Sequence, residues 1–177
     1  TGARKNINTG LHIGSFAGGS SHLYEVMSAN PAFRIMPGSY AVDPMVIMQN
    51  DNLVSINTLV EMDLTGQVCS ESIGPRQLSG SGGAFAFAYG AFRSKGGRGI
   101  LAFPSRTAKG QSKIRPMLAQ GAVVTVPRNY VDYIVTEYGV APMRGRTVRE
   151  RAENLIAIAH PDVREELRFE AKKLLYI

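Results

Sequence analysis

The 177-residue sequence is 44% hydrophobic and 19% charged, which suits one globular domain and argues against a disordered chain. Its apolar runs are all much shorter than the ~20 residues of a transmembrane helix, so we expect no membrane partner. The formal net charge of +6 favours an anionic partner. Because the chain has no zinc-finger spacing and no aromatic–basic repeat, we expect a phosphate-bearing small molecule rather than nucleic acid.

The chain starts at Thr1 without a signal sequence, so we expect a piece of a longer, cytoplasmic protein. Cys69 is the only cysteine, which excludes an internal disulfide. We interpret it as a small buried residue; a nucleophilic role is the alternative, but no histidine lies nearby in the sequence to activate it. His12, His22 and His160 lack ligand spacing, and we predict no metal site.

The N-terminal part is predicted to begin with a strand at residues 11–14 and a turn rich in glycine and serine. A short helix follows, with Ser20 or Ser21 as its N-cap. A second short strand is predicted at residues 33–36. Three apolar residues are expected on the inner face of the helix: Leu23, Val26 and Met27.

In the middle of the chain, residues 53–62 alternate loosely and are rich in β-branched side chains, which predicts one strand. Gly66 is expected to turn it towards a partner at residues 67–71. A helix is predicted at residues 84–92. Three further apolar runs are typical of strands covered on both faces: residues 99–103, 123–126 and 133–136.

The C-terminal part has the clearest local signals. Thr147 and Glu150 have the spacing of a capping box, in which each side chain satisfies the other residue's backbone N–H. Two helices are predicted on either side of His160-Pro161. Their apolar stripes are Val148, Ala152, Leu155, Ile156 and Ala159 in the first, and Val163, Leu167, Ala171 and Leu174 in the second. Strands alternating with helices predict a three-layer α/β/α domain with a largely parallel or mixed sheet.

The loop formed by Gly80, Ser81, Gly82 and Gly83 is the sharpest candidate for a site. Three glycines permit positive φ and let a ligand approach the backbone amides. Because a helix is predicted to follow, these amides and the helix dipole would face an anion or a developing oxyanion. The alternative is a simple tight turn between a strand and a helix.

Three polar residues within or after predicted strands are further candidates. Lys109 lies in a loop beside a glycine, where it would reach a phosphate or remain a solvated surface lysine. Glu137 follows the strand at residues 133–136, at the position where α/β sheets carry functional groups. Asn57 interrupts an apolar strand, so its amide either satisfies a neighbouring loop or binds a ligand.

Taken together, these segments resemble the family of acetyl-CoA hydrolases and 4-hydroxybutyrate CoA-transferases. The resemblance extends from about residue 10 to the last helix. It is carried by four stretches: MQNDNLVSIN at residues 48–57, GQVCSESIG at 66–74, GSGG at 80–83, and VTEYG at 135–139 continuing through Arg144-Gly145.

The resemblance implies that the chain, residues 1–177, is the C-terminal domain of a two-domain CoA-transferase, whose N-terminal domain is not part of this sequence. In this family a glutamate attacks an acyl-CoA thioester, giving an anhydride and then a glutamyl-CoA thioester that an acceptor acid resolves. Coenzyme A, as acyl-CoA, and a short-chain carboxylic acid are the implied substrates. The N-terminal domain and further copies in a homo-oligomer are the implied partners, and the fragment is expected to be inactive alone.

The same resemblance implies roles for individual residues. The amide of Gly83, with that of Gly82, would donate to the thioester oxyanion. Glu137 matches an auxiliary carboxylate that organises the carboxylate-binding site. Five residues match CoA-binding positions: Asn57, Val60, Gly80, Gly83 and Lys109.

Two departures from the family pattern narrow the prediction. The nucleophilic glutamate lies upstream of Thr1, and Glu61, Glu71 and Glu137 do not match its position. Where hydroxybutyrate-type members often carry a polar, an acidic and a basic residue, this chain has Ala84, Ala86 and Tyr89. The resemblance thus implies a more apolar acyl pocket and leaves 4-hydroxybutyrate, acetate and itaconate open as substrates.

Two alternative functions also remain open: an acyl-CoA hydrolase on the same scaffold, and a CoA-binding module without catalysis.

Overall fold

The structure, a computed structural model, describes residues 2–177, with no side-chain description for Ala3. Helices in this range are α1 (Ser21–Met27), α2 (Gly38–Ala41), α3 (Pro44–Ile47), α4 (Ala84–Arg93), α5 (Val148–Ile158) and α6 (Arg164–Lys173). Strands are β1 (His12–Gly14), β2 (Phe33–Ile35), β3 (Val54–Asn57), β4 (Glu61–Asp63), β5 (Val68–Cys69), β6 (Ser72–Ile73), β7 (Arg76–Gln77), β8 (Arg98–Ala102), β9 (Ile114–Arg115), β10 (Tyr133–Thr136) and β11 (Gly139–Pro142).

The largest sheet has the strand order β11-β10-β8-β3. Its strands β3, β8 and β10 are parallel, whereas β11 returns antiparallel to β10. A second sheet has the order β5-β4-β9, and the pairs β1-β2 and β6-β7 form two small sheets. The predicted mixed α/β class is confirmed.

Helices α4 and α5 pack on the same face of the largest sheet. On that face Leu101, Ile134 and Ala141 are in register and buried. An ideal Cβ on Gly99 would contact Ala91 of α4, and the Thr136 hydroxyl donates to the carbonyl of residue 158 in α5. The opposite face, on which the predicted third layer would pack, is partly exposed along the outer strands.

Two strand predictions are wrong. Residues 53–62 form two strands, because the chain leaves the largest sheet after Asn57 and β4 pairs with β5 and β9 instead. Residues 123–126 form no strand and make only an isolated bridge between Val126 and Val68. The backbone there is irregular, because the N–H groups of Thr125 and Val126 both donate to the carbonyl of Val68.

The N-terminal predictions are confirmed in part. Strands β1 and β2 form as a parallel pair, and the Ser20 hydroxyl caps α1 by accepting the N–H of Leu23. Val26, expected on the inner face of α1, is 46% exposed, so that expectation is wrong. The helix buries no residue, and none of its residues belongs to the main core.

The C-terminal helices form as predicted. The Thr147 hydroxyl accepts the N–H of Glu150 at 3.3 Å, and the Glu150 carboxylate accepts the N–H of Thr147 at 2.8 Å. In α5, the buried stripe is Ala152, Leu155 and Ile156, and α6 adds Leu167 and Ala171 to the same core. No helix within residues 2–177 has the length and apolar character that a membrane span requires.

Candidate functional site

The carboxyl ends of β3, β8 and β10 meet at one edge of the largest sheet, the usual position of ligand sites in α/β folds. Helix α4 precedes β8 and packs on both β8 and β3. The last turn of α4 lies close to the start of β8. A Cβ atom added to Gly97, just before β8, would overlap the carbonyl oxygen of Ala91 in that turn. Helix and strand run in opposite directions, so the first turn of α4 lies towards the carboxyl edge.

The glycine loop, residues 80–83, therefore enters α4 at this edge. Gly82 has φ of +55°, which favours glycine, and Gly83 is the N-cap residue with no side-chain cap. No group within residues 2–177 accepts a hydrogen bond from the N–H of Gly82 or Gly83. Ideal Cβ atoms on Gly80 and Gly82 would meet nothing within 4 Å. The loop thus presents open N–H donors at the positive end of the helix dipole.

Gly83 is also closely packed. An ideal Cβ at this position would lie 3.0 Å from Phe87 Cδ2 and 3.1 Å from Val42 Cγ1. Both distances are tighter than ordinary van der Waals contact, so any larger residue would displace the loop or its neighbours.

Glu137 follows β10 at the same edge and is held by Ser105, which follows β8. The Ser105 hydroxyl donates to Glu137 Oε1 at 2.6 Å, and the Ser105 N–H donates to Oε2 at 2.8 Å. The hydrogen bond from the Ser105 hydroxyl is the main cause that lowers the pKa of Glu137. Desolvation by burial is the second-largest cause and raises the pKa, whereas the Ser105 N–H and the charge of His160 lower it further. Glu137 is therefore a fixed carboxylate at neutral pH.

Asn57 and Val60 lie at the end of β3 and just beyond it. The Asn57 side-chain amide donates to the Ser55 hydroxyl at 2.9 Å, so it satisfies a neighbouring group. The Val60 N–H donates to the carbonyl of Cys69 at 2.9 Å, which holds this segment against β5. Both residues are only partly buried.

Lys109 lies at the exposed tip of a turn that follows β8. The turn closes through the Gly110 N–H, which donates to the carbonyl of Thr107 at 2.8 Å. Lys113, which has no local signal in the sequence, is partly buried nearby, and its ammonium contacts the carbonyl of Leu59 at 3.5 Å. The structure thus brings two lysines to the segment after β8, with Lys113 nearer to the strand ends.

Other titratable side chains have structural partners. Glu61 is buried, and its carboxylate accepts the N–H of Ala119 at 2.7 Å and pairs with Arg115 at 3.3 Å. Cys69 is fully buried against Ser72, which confirms the interpretation of a small core residue. Among residues 2–177, no three His, Cys, Asp or Glu side chains are grouped so that they would hold a metal ion.

Tyr89, on α4, packs against other aromatic rings. Its ring lies 5.0 Å from that of Tyr130 and 5.9 Å from that of Phe85. Ala84 and Ala86 occupy the first turn of the same helix, directly after the glycine loop. The start of α4 is therefore apolar beside the candidate site.

The structure gathers most of the predicted residues at one edge of the sheet: Asn57, Val60, Gly80, Gly82, Gly83 and Glu137. Lys109 lies further out, on its turn. Sequence reasoning missed Ser105 because a single serine after a strand carries no local signal. Its partner, Glu137, is 32 residues away in the chain. Open N–H donors at a helix N-terminus, such as those of Gly82 and Gly83, can bind an anion or stabilise charge on a carbonyl oxygen.

The sequence of the chain matches one known protein family. The family model described as the acetyl-CoA hydrolase/transferase C-terminal domain matches residues 19–171. The chain is 51% identical to 4-hydroxybutyrate coenzyme A transferase of Clostridium kluyveri, over 96% of this chain and 40% of that protein. It is 49% identical to succinyl-CoA:cyclohexane-1-carboxylate CoA transferase of Geobacter metallireducens, over 97% of this chain and 40% of that protein.

Among solved structures, RipA from Yersinia pestis superposes with a TM-score of 0.92 at 44% identity, over 100% of this chain and 40% of that one. The chain thus spans about 40% of the length of these relatives. The chain belongs to the acetyl-CoA hydrolase/transferase family, and the part of the family that it matches is the C-terminal domain.

Proposed function

We propose that this chain is the C-terminal part of an acyl-CoA:carboxylate CoA-transferase, which moves CoA between short-chain organic acids. The observation that carries the proposal is the glycine loop at the start of α4, whose two open N–H groups fit the oxygen of a thioester. The relatives from Clostridium kluyveri and Geobacter metallireducens are both CoA transferases, which supports transfer in preference to hydrolysis.

In the proposed reaction, a glutamate outside residues 1–177 attacks the acyl-CoA carbonyl, and negative charge grows on the carbonyl oxygen. The N–H groups of Gly82 and Gly83 stabilise that charge, a contribution that typically amounts to about 10²–10³ in rate. The CoA thiolate then attacks the acyl-glutamyl anhydride, which releases the first acid and leaves a glutamyl-CoA thioester. The acceptor acid reverses these steps.

The remaining site residues have binding roles in this proposal. Asn57 and Val60 line the path of the pantetheine arm, and Lys109 faces the CoA phosphates. Glu137, fixed by Ser105, organises the site of the substrate carboxylate. The apolar first turn of α4, with Ala84 and Ala86, supports a small acyl group such as acetate over 4-hydroxybutyrate or itaconate.

We also propose that the complete enzyme is a cytoplasmic homo-oligomer whose N-terminal domain completes the site. A hydrolase is the second candidate, because the family model covers hydrolases as well as transferases. In a hydrolase, water would replace the acceptor acid at the glutamyl-CoA stage.

Kinetics of the full-length enzyme separate the two candidates. Acyl-CoA is supplied with and without acetate, 4-hydroxybutyrate or itaconate as the acceptor, and formation of the new thioester is followed. Transfer predicts a rate that depends on the acceptor, with the parallel double-reciprocal lines of a ping-pong mechanism. Release of free CoA thiol at the same rate without any acceptor would contradict transfer and support hydrolysis.

A further inference from the structure

Glu71 is a buried carboxylate that the proposed reaction does not use. It lies in the turn between β5 and β6 and is 8% exposed. Its Oε1 accepts a hydrogen bond from Gln77 Nε2 at 2.9 Å, and its Oε2 accepts one from the Thr125 hydroxyl at 2.9 Å. Burial of a carboxylate is costly unless its oxygens are hydrogen-bonded. These two donors therefore fix the position of Glu71.

Gln77 connects this carboxylate to the residue that precedes the glycine loop. The same Nε2 that bonds to Glu71 also donates to the carbonyl of Ser79 at 2.7 Å. The N–H groups of Leu78 and Ser79 donate to the backbone carbonyl of Glu71, at 2.8 and 3.3 Å. Ser79 is thus tied to Glu71 through both its N–H and, by way of Gln77, its carbonyl.

Beyond Ser79, the glycine loop has few contacts of its own. The Ser79 hydroxyl donates to the carbonyl of Gly80 at 2.9 Å, and at the far end the carbonyl of Gly83 accepts the N–H of Phe87 at 2.9 Å. Ideal Cβ atoms on Gly80 and Gly82 would touch nothing. The direction of the free N–H groups is therefore set by the two ends of the loop.

We infer that Glu71 and Gln77 are positioning residues for the glycine loop. They hold Ser79 and so aim the N–H groups of Gly82 and Gly83, without contacting the substrate themselves. The inference rests on the proposed function, in which those groups stabilise the thioester oxyanion. Because an oxyanion donor acts mainly in the transition state, displacement of the loop lowers kcat more than it raises KM.

The test replaces Gln77 in the full-length enzyme. Gln77→Met keeps the length of the side chain and removes the donor, and Gln77→Glu removes the donor and places a second carboxylate beside Glu71. We expect kcat to fall about tenfold in Gln77→Met, the size of one charge-assisted hydrogen bond, with KM for acyl-CoA within about twofold. A larger fall is expected in Gln77→Glu.

Arg76→Ala is the matched control, because Arg76 is the adjacent exposed residue of β7 and its side chain has no hydrogen bond within residues 2–177. It should leave kcat unchanged. If Gln77→Met lowers the melting temperature but keeps the wild-type kcat, the role of Gln77 is structural and the inference is wrong. If the wild-type enzyme itself transfers no CoA, the proposed function fails instead, which is a different result.

Discussion

At the scale of single residues, the bond between Glu137 and Ser105 makes stability depend on pH. The lowered pKa of Glu137 means that the folded state favours the charged carboxylate. Its contribution to stability is therefore present above the ordinary carboxyl value of 4.5 and is lost as the pH falls through the lowered value in the folded state.

We predict that Glu137→Gln lowers the free energy of unfolding at neutral pH by about 1 kcal/mol or less, because the carboxylate is largely exposed to solvent. The difference from the wild type should shrink on the acid side of pH 4.5. Urea unfolding of the variant and the wild type, at neutral pH and again below the ordinary carboxyl value, measures this difference in the free energy of unfolding. Glu153→Gln, at an exposed position of α5, is the control. A difference that persists unchanged in acid would contradict the role of the charge.

Residues of the candidate site differed in how much the sequence could reveal about them. The glycine loop was predictable because three glycines before a helix-forming segment are a local signal. Ser105 and Gln77 gave no such signal, since a serine or a glutamine gains its role only from a partner that folding brings close. Lys109 was identified from its neighbouring glycine, but that glycine serves the turn itself.

At the scale of elements, α5 depends on its capping box. Thr147→Ala removes the hydroxyl that accepts the N–H of Glu150. Loss of an N-cap of this kind costs about 1 kcal/mol of folding free energy, and we expect that decrease in urea unfolding. Arg149→Ala, in the same turn and exposed, should have little effect. Equal effects of the two substitutions would show that the cap contributes nothing.

The packing of α4 on α3 depends on Gly90. An ideal Cβ there would overlap the side chain of Ile47 and lie 2.8 Å from its Cβ. Alanine has the higher helix propensity by about 1 kcal/mol, but a steric overlap in a packed core costs about 1–3 kcal/mol. Gly90→Ala should therefore lower the melting temperature. Gly38→Ala, where an added Cβ would meet nothing within 4 Å, should not. A stabilised Gly90→Ala would show that α3 moves freely.

Elements were predictable from the sequence where their signals are local. The capping box and the apolar stripe of α5 need only neighbouring residues. The strand predictions at residues 53–62 and 123–126 failed because an apolar, β-branched run does not specify its partner. In the structure the first run divides between two sheets, and the second meets the two-residue strand β5 at a single bridge.

At the scale of the whole molecule, the proposed site is divided between this chain and another domain. We predict that the isolated chain binds CoA at least about tenfold more weakly than the full-length enzyme, because only part of the contact surface is present. Titration calorimetry of both proteins with CoA provides the comparison. Equal affinities would contradict a divided site and favour a self-sufficient CoA-binding module.

If the glycine loop stabilises the thioester oxyanion, as we propose, Gly83→Ala in the full-length enzyme should lower kcat. An added Cβ would lie 3.0 Å from Phe87 and 3.1 Å from Val42, so either the loop or these two side chains must shift by a few tenths of an ångström. Misplacement of a catalytic donor by up to 1 Å costs about 10²-fold, and we expect kcat to fall by about 10- to 100-fold while Gly38→Ala keeps the wild-type value. A folded Gly83→Ala enzyme with wild-type kcat would contradict the account.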